Sequence, residues 1–174
     1  IKGLQRLEYR GYDSAGVAVF DGKDAIQVRK KKGKVEDLLA FVGDDLPTGS
    51  MGIGHTRWAT HGPPNDVNAH PQTARFGRLA MIHNGIIENY ESLRASLEAN
   101  GHAFVSDTDT EVLIHLIDEV QSRTNTSITD AVQMALKEVE GAYAIAIIDA
   151  NEPDLLIAAR KSSPLAVSYT HLRA

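Results

Sequence analysis

Cysteine is absent from all 174 residues. Its absence excludes disulfide bonds, thiolate metal ligands and a cysteine nucleophile within the chain. No apolar run approaches the roughly 20 residues that a membrane span needs. The opening residues 1–7 are interrupted by charges and form no signal peptide. We therefore expect a cytoplasmic protein with no membrane partner.

Basic residues are outnumbered by acidic ones, 18 against 23. The formal net charge is -5 and the isoelectric point is near 5.8, so we expect no nucleic-acid partner. The one basic run, 29–32, is interpreted as a solvated strand end. Repeats and low-complexity segments are missing, while 43% of the residues are hydrophobic. This composition predicts one globular domain with a substantial core.

Apolar spacing predicts both helices and strands. The helices are expected at the start of the chain up to Tyr9, at 34–42, at 90–99, from 109 to about 120, and after Ser127. The strands are expected at 14–20, 26–30, 52–57, 79–83, 142–149 and 155–159. Strands come in pairs and helices in runs, which favours an α+β fold with antiparallel sheets over a doubly wound parallel sheet.

A first polar stretch, 55–62 (HTRWATHG), follows a predicted buried strand. Arg57 offers a planar fork of donors that suits a carboxylate, although an ordinary ion pair explains it equally well. Trp58, taken alone, is typical of a core residue. His55, His61 and His70 lack a familiar ligand spacing, so we interpret them as hydrogen-bonded or exposed and expect no metal.

Two further stretches, 83–89 (HNGIIEN) and 107–111 (DTDTE), carry polar groups. Asn84-Gly85 is a strong turn signal, but an Asn amide and a Gly N–H can also hold an oxyanion together. Thr108 and Glu111 have the spacing of a helix capping box. Asp109 would then lie in the first turn, free to meet an ammonium group. An Arg, an Asp and an Asn-Gly pair are together complementary to free glutamine, although spacing alone does not show that they converge.

Five ordered motifs carry a family resemblance. They are residues 7–16 (LEYRGYDSAG), 55–62 (HTRWATHG), 67–71 (VNAHP), 83–89 (HNGIIEN) and 106–112 (SDTDTEV). Over residues 1–167 the chain resembles the class II glutamine amidotransferase domain of the glutamine–fructose-6-phosphate aminotransferases, or glucosamine-6-phosphate synthases. The resemblance implies the N-terminal-nucleophile hydrolase fold, a four-layer αββα sandwich with antiparallel sheets.

The resemblance also implies roles for particular residues. The thiol of an N-terminal Cys attacks the glutamine amide, while Asn84 and the Gly85 N–H hold the oxyanion. Arg57 binds the α-carboxylate, with Thr60 and His61 nearby, and Asp109 binds the α-ammonium. Trp58 belongs to the gate toward the ammonia channel, Arg10 places the N-terminal segment, and His70 is a supporting residue.

Two departures from the family pattern shape the expectations. The nucleophilic Cys is not in the chain, so the 174 residues are expected to be inactive and to lack the N-terminal Cys segment. Residues 168–174 depart from the family and are interpreted as a non-native tail, with the C-terminal part of the domain missing.

The parent is expected to be a homo-oligomer that uses L-glutamine and, through missing isomerase domains, fructose 6-phosphate, without a cofactor. Two alternatives stay open: a glutamine-binding module that never had the Cys, and an amidotransferase with another acceptor.

Overall fold

The computed structural model describes residues 1–23 and 25–167, apart from the side chain of Arg75. The segment 168–174, interpreted as a non-native tail, lies outside the described residues. The helices are α1 (Lys2–Leu7), α2 (Val35–Val42), α3 (Tyr90–Ala99), α4 (Asp109–Thr124) and α5 (Ile128–Ala135), with short 3-10 turns at Glu8–Arg10 and Arg75–Gly77. The strands are β1 (Ser14–Phe20), β2 (Ile26–Lys32), β3 (Met51–Arg57), β4 (Gln72–Thr73), β5 (Leu79–Ile87), β6 (Gly141–Asp149) and β7 (Leu156–Lys161).

The described strands form two antiparallel sheets. The first has the order β2-β1-β3, and the second has the order β4-β5-β6-β7. In the first sheet Ser14 pairs with Arg57, and in the second Ile87 pairs with Gly141. The predicted α+β class with antiparallel sheets is therefore confirmed.

Three apolar clusters show how the layers stack, because side chains alternate between the two faces of each strand. One cluster joins α1 and α2 to the outer face of the first sheet: Leu4, Ala15, Val17, Val35, Leu38 and Val42. A second fills the space between the sheets: Ala18, Phe20, Ile26, Ile53, Ala80 and Ile148. The third joins the second sheet to α3, α4 and α5, with Leu79, Met81, Leu113, Ile117, Ile128 and Ile145 among its members. The order is helices, sheet, sheet, helices.

The starts of α4 and α5 follow from their capping residues. Thr108 Oγ1 accepts a hydrogen bond from Glu111 N at 3.2 Å, and Ser127 Oγ accepts one from Asp130 N at 3.1 Å. The other half of the predicted capping box is wrong. Because Glu111 is buried among the backbone amides that precede the helix, its carboxylate accepts from Val105 N and Ser106 N.

Two predictions around β5 and α3 are corrected. Asn84-Gly85 is not a turn, because β5 continues through it and pairs with β6 to its end. Long-range pairing along the whole strand outweighs the local preference of Asn-Gly. Asn89 precedes α3 as expected, but its side chain does not cap the helix. It bonds Glu138 O and Glu140 N instead, so it fastens α3 to the start of β6.

Within residues 1–23 and 25–167, no helix combines the length and the apolar character that crossing a membrane requires.

Candidate active site

A cavity of about 540 Å³ opens where the end of β3, the middle of β5 and the start of α4 meet. Helix α1 closes one side of it through Leu4 and Leu7. The predicted site residues that line it are Arg10, Arg57, Trp58, Thr60, His70, Asn84, Gly85 and Asp109. His61 stands beside the cavity, with its Nδ1 3.6 Å from Asp109 Oδ2. The fold thus brings together residues that are up to about a hundred positions apart in the sequence.

Arg57 is the last residue of β3, and only 4% of it is exposed. Its Nη2 donates to the carbonyl oxygen of His61, whereas its buried Nη1 has no partner among the described residues. Burial lowers the pKa of the guanidinium, and the nearby charges of Asp13 and Asp109 raise it. The guanidinium stays charged at neutral pH. Within the described chain Arg57 forms no direct ion pair, so this side of the cavity offers a charged donor to an anion.

Asp109 opens α4 and is also buried, with 3% exposed. Its Oδ2 accepts a hydrogen bond from Ile87 N at 2.9 Å, and its Oδ1 lies 3.8 Å from His83 Nδ1. The sequence had suggested a free carboxylate. In the structure the carboxylate is instead held against β5. A helix N-terminus favours the charged carboxylate. Asp109 supplies negative charge to the cavity opposite the positive charge of Arg57.

Asn84 projects from β5 toward the first sheet. Its Oδ1 lies 2.8 Å from Nε2 of His55 on β3, so this contact crosses between the sheets. The neighbouring Gly85 has a φ of 133°, and a Cβ there would lie 2.0 Å from Ala142 O. The close approach of β6 therefore requires glycine at this position.

The β5–β6 ladder decides which way the Gly85 N–H points. At its two ends Ala150 N donates to Arg78 O and Glu88 N donates to Glu140 O. Because alternate residues of an antiparallel ladder face the partner strand, even-numbered residues of β5 face β6 and odd-numbered ones face away. The N–H of Ile87 lies on the edge of β5 that faces away from β6, and it donates to Asp109. The Gly85 N–H lies on the same edge.

Buried histidines surround these groups. The rings of His55 and His70 stack with centroids 4.8 Å apart. His70 Nε2 lies 2.9 Å from Thr110 Oγ1, which lies 3.0 Å from His83 Nδ1. Burial lowers the pKa of His55 to about 4, that of His70 well below its usual value, and that of His83 in the same direction. These rings are neutral at pH 7. The expectation of hydrogen-bonded or exposed histidines is confirmed for His55 and His70, whereas the buried Nδ1 of His61 has no hydrogen-bond partner among the described residues.

In the described part of the chain, no group of three or more His, Asp or Glu side chains is placed to hold a metal ion.

The interpretation of Trp58 as a core residue is wrong, because 61% of the residue is exposed. It follows the end of β3 and projects beyond the sheet, where its ring meets Tyr12 edge to face with centroids 5.2 Å apart. Arg10 lies in the 3-10 turn after α1 and is exposed at the cavity mouth, and Thr60 is exposed in the loop after Trp58. All three border the cavity without being fixed in its interior.

Sequence reasoning missed two residues that hold the site together. Asp13 accepts a hydrogen bond from Ala59 N and so fastens the loop after Arg57. Asn68 donates to Pro63 O at 2.9 Å and accepts from Asp107 N at 3.0 Å, which ties that loop to the segment before α4. Both residues lie inside recognised motifs. Their partners 46 and 39 positions away could not be inferred from local patterns.

Comparisons with known proteins identify the family of the chain. A family model described as a glutamine amidotransferase domain matches residues 55–172. The chain belongs to this family. Among its relatives, a glutamine–fructose-6-phosphate aminotransferase (isomerizing) of Bacteroides thetaiotaomicron is 56% identical over 167 residues. The match covers 96% of this chain and 27% of the relative.

The enzyme of the same name from Aeropyrum pernix is 51% identical over the same share of each chain. The chain thus spans about 27% of the length of these relatives.

Solved structures support the fold. The glutamine phosphoribosylpyrophosphate amidotransferase of B. subtilis has a TM-score of 0.73 at 30% identity, over 85% of this chain and 31% of that one. A glutamine aminotransferase class-II domain protein from Silicibacter pomeroyi has a TM-score of 0.61 at 21% identity, over 87% and 70% of the two chains. The predicted N-terminal-nucleophile hydrolase sandwich is confirmed.

Proposed function

We propose that this chain is the glutamine-hydrolysing part of a glutamine–fructose-6-phosphate aminotransferase. The whole enzyme moves the amide nitrogen of L-glutamine to fructose 6-phosphate and yields glucosamine 6-phosphate and glutamate. Identity supports this acceptor over phosphoribosyl pyrophosphate, because it is 56% to the bacterial aminotransferase and 30% to the B. subtilis amidotransferase.

The observation that carries the proposal is the buried Nη1 of Arg57, which has no hydrogen-bond partner among the described residues and shares a cavity with Asp109 and Asn84. A buried charged donor without a partner is costly, and a carboxylate relieves that cost. Arg57 binds the α-carboxylate of glutamine, and Asp109 binds its α-ammonium. A free amino acid carries both charges on one carbon, so this pair selects glutamine itself over a glutamine residue within a protein.

The remaining predicted residues surround the reacting amide. When the cysteine thiol attacks the amide carbon of glutamine, the amide oxygen becomes an oxyanion. The Asn84 amide and the Gly85 N–H stabilise this oxyanion. Ammonia then leaves, and water releases glutamate from the thioester. Thr60 and His61 complete the amino-acid site, and Trp58 belongs to the gate for ammonia. His70 supports the site through its contact with Thr110.

The nucleophile is a cysteine thiol outside these 174 residues, which contain none. We accordingly expect residues 1–174 alone to bind glutamine without hydrolysing it. Arg10 positions the segment that carries the thiol. Fructose 6-phosphate binds to other domains of the polypeptide, which assembles as a homo-oligomer in the cytoplasm and needs no metal or organic cofactor.

The test uses the natural polypeptide that contains these residues, together with glutamine labelled with 15N in its amide. Appearance of the label in glucosamine 6-phosphate, detected by mass spectrometry, supports the proposal. Label in phosphoribosylamine, when phosphoribosyl pyrophosphate is offered, assigns the chain to another amidotransferase. Glutamine binding without release of the amide nitrogen overturns the enzyme and leaves a binding module.

A further inference from the structure

One hydrogen bond in the cavity joins the two sheets. His55 belongs to β3 of the first sheet and Asn84 to β5 of the second, and His55 Nε2 lies 2.8 Å from Asn84 Oδ1. The His55 side chain is buried, with 8% of the residue exposed, whereas Asn84 is exposed at the cavity. The contact therefore connects a rigid, enclosed ring to a side chain that faces the substrate space.

The environment of the ring decides which atom carries the proton. His55 is neutral at pH 7, so only one of its ring nitrogens bears hydrogen. The other nitrogen, Nδ1, is buried without a partner among the described residues. A buried N–H without an acceptor is rarer than an acceptor without a donor. The proton therefore sits on Nε2, which donates to Asn84 Oδ1.

This polarity fixes the orientation of the Asn84 amide. With its oxygen bound to His55, the NH2 group of Asn84 is left to face away from the ring and toward the cavity. The reverse orientation places an NH2 donor against the Nε2–H of His55, where two donors meet without an acceptor. One neutral histidine thus excludes one of the two orientations that an Asn amide could adopt.

The ring is itself held on its other face. It stacks on His70, whose Nε2 contacts Thr110 at the start of α4. In the ladder, His55 lies opposite Gly16, where a Cβ would approach His70 O to 2.2 Å. Glycine at this position allows His70 to lie close to β1 and under the His55 ring.

We propose that His55 is a positioning residue for the oxyanion site. It holds the Asn84 side chain so that the NH2 group of Asn84 faces the reacting carbonyl. The inference rests on the proposed function and adds a residue to it. Groups oriented before the reaction stabilise the transition state without reorganisation, and they matter less for the ground state. The loss of His55 should therefore lower kcat for glutamine hydrolysis and leave the KM for glutamine nearly unchanged.

The experiment compares variants of the natural full-length polypeptide. His55→Leu removes the donor. If the leucine variant does not fold, His55→Asn replaces it, because the asparagine amide is too short to reach Asn84. His55→Gln restores a nitrogen donor at nearly the position of Nε2. His102→Leu is the matched control, because the His102 side chain is similarly buried at 7% exposure and its contacts are with His115 and Glu119, outside the cavity.

We expect kcat to fall roughly ten- to hundredfold in His55→Leu and His55→Asn, with KM within about threefold of the wild type. His55→Gln should recover most of kcat, and His102→Leu should keep it. A kcat that is unchanged without the donor, or a loss that glutamine at position 55 does not restore, overturns the positioning role. A wild-type polypeptide that hydrolyses no glutamine overturns the proposed function instead, and the inference falls with it.

Discussion

At the scale of single residues, Arg57 combines a backbone hydrogen bond on one nitrogen with a second nitrogen that has no partner within residues 1–23 and 25–167. Arg57→Lys keeps the charge but loses the planar fork, which bonds the His61 carbonyl with one nitrogen and offers the other to the substrate. We expect it to weaken the use of glutamine by about 1–3 kcal/mol, measured as kcat/KM for glutamine in the natural polypeptide. Activity driven by added ammonia should survive.

Arg29→Lys serves as its control, because Arg29 pairs with the exposed Asp45 outside the cavity. That change should leave both activities near the wild-type values. Equal loss of the glutamine- and ammonia-driven activities in Arg57→Lys means that Arg57 is structural and does not bind the substrate.

Gly85 makes a second prediction, about stability. Gly85→Ala places a Cβ 2.0 Å from Ala142 O at a φ of 133°, which side chains rarely tolerate. We expect the free energy of unfolding to fall by about 1–3 kcal/mol, measured by urea denaturation. Gly3→Ala is the control, since Gly3 lies within α1 with no heavy atom near its Cβ position. Alanine favours a helix there by up to about 1 kcal/mol, so equal destabilisation of both variants contradicts the argument.

Residue chemistry read from the sequence found the charged parts of the site but not its internal bonds. Arg57 and Asp109 stand out because a guanidinium and a carboxylate suit the two charges of an amino acid. The donor that orients Asn84 could not be identified, because the pairing of His55 with a residue 29 positions away depends on how two sheets stack. Trp58 was misjudged since residue type alone does not tell whether a side chain lies beyond the sheet.

At the scale of elements, the start of α4 links stability to the site. Thr108 caps this helix, and the next residue is Asp109. Thr108→Ala should cost about 0.5–2 kcal/mol of unfolding free energy and should also raise the KM for glutamine, because Asp109 loses its fixed position. Chemical denaturation and steady-state kinetics measure the two effects.

The start of α5 provides the matched control. Ser127→Ala removes an equivalent cap, yet Ser127 is outside the cavity lining. A similar loss of stability is expected there, with an unchanged KM. If both variants raise KM alike, the effect reports general loosening and not the placement of Asp109.

Element prediction succeeded where the pattern was local and failed where pairing decided the outcome. The apolar stripe after Thr108 and the alternation in 14–20 correspond to α4 and β1. In contrast, β5 extends four residues beyond the predicted His83, because β6 pairs with it as far as Ile87. Pairing between distant strands contributes nothing to a local sequence pattern.

At the scale of the whole molecule, buried neutral histidines make stability depend on pH. Unfolded histidine has a pKa near 6.5, whereas burial lowers the pKa of His55 to about 4 and that of His70 well below its usual value. Below pH 6.5 the unfolded chain binds protons that the native chain does not. The contribution of these histidines to the free energy of unfolding is therefore fully present above pH 6.5 and decreases as pH falls toward 4. His55 alone accounts for a change on the order of 3 kcal/mol over that range.

Urea denaturation between pH 5 and pH 8 should therefore give an unfolding free energy that rises with pH. His55→Leu should make this dependence shallower, because leucine binds no proton in either state. His70 continues to contribute with the same sign. An identical pH dependence in the variant and the wild type contradicts the assignment. Buried carboxylates such as Glu111, whose pKa is lowered, titrate below this window.

The hydrogen bond between His55 and Asn84 has a consequence for the sandwich as a whole. Much of the space between the sheets is filled by apolar groups such as Ala18, Phe20 and Ala80, whose attraction has no preferred direction. Apolar contacts tolerate a small slide of one sheet over the other, whereas a hydrogen bond weakens steeply with distance and angle. Together with the hydrogen bond that Lys30 Nζ on β2 donates to Gln72 Oε1 on β4, this polar pair therefore selects one alignment of the two layers. Changes in interlayer spacing far from the cavity, such as Ala80→Val, would reach the reacting carbonyl through that alignment, so turnover becomes a measure of how well the sandwich is packed.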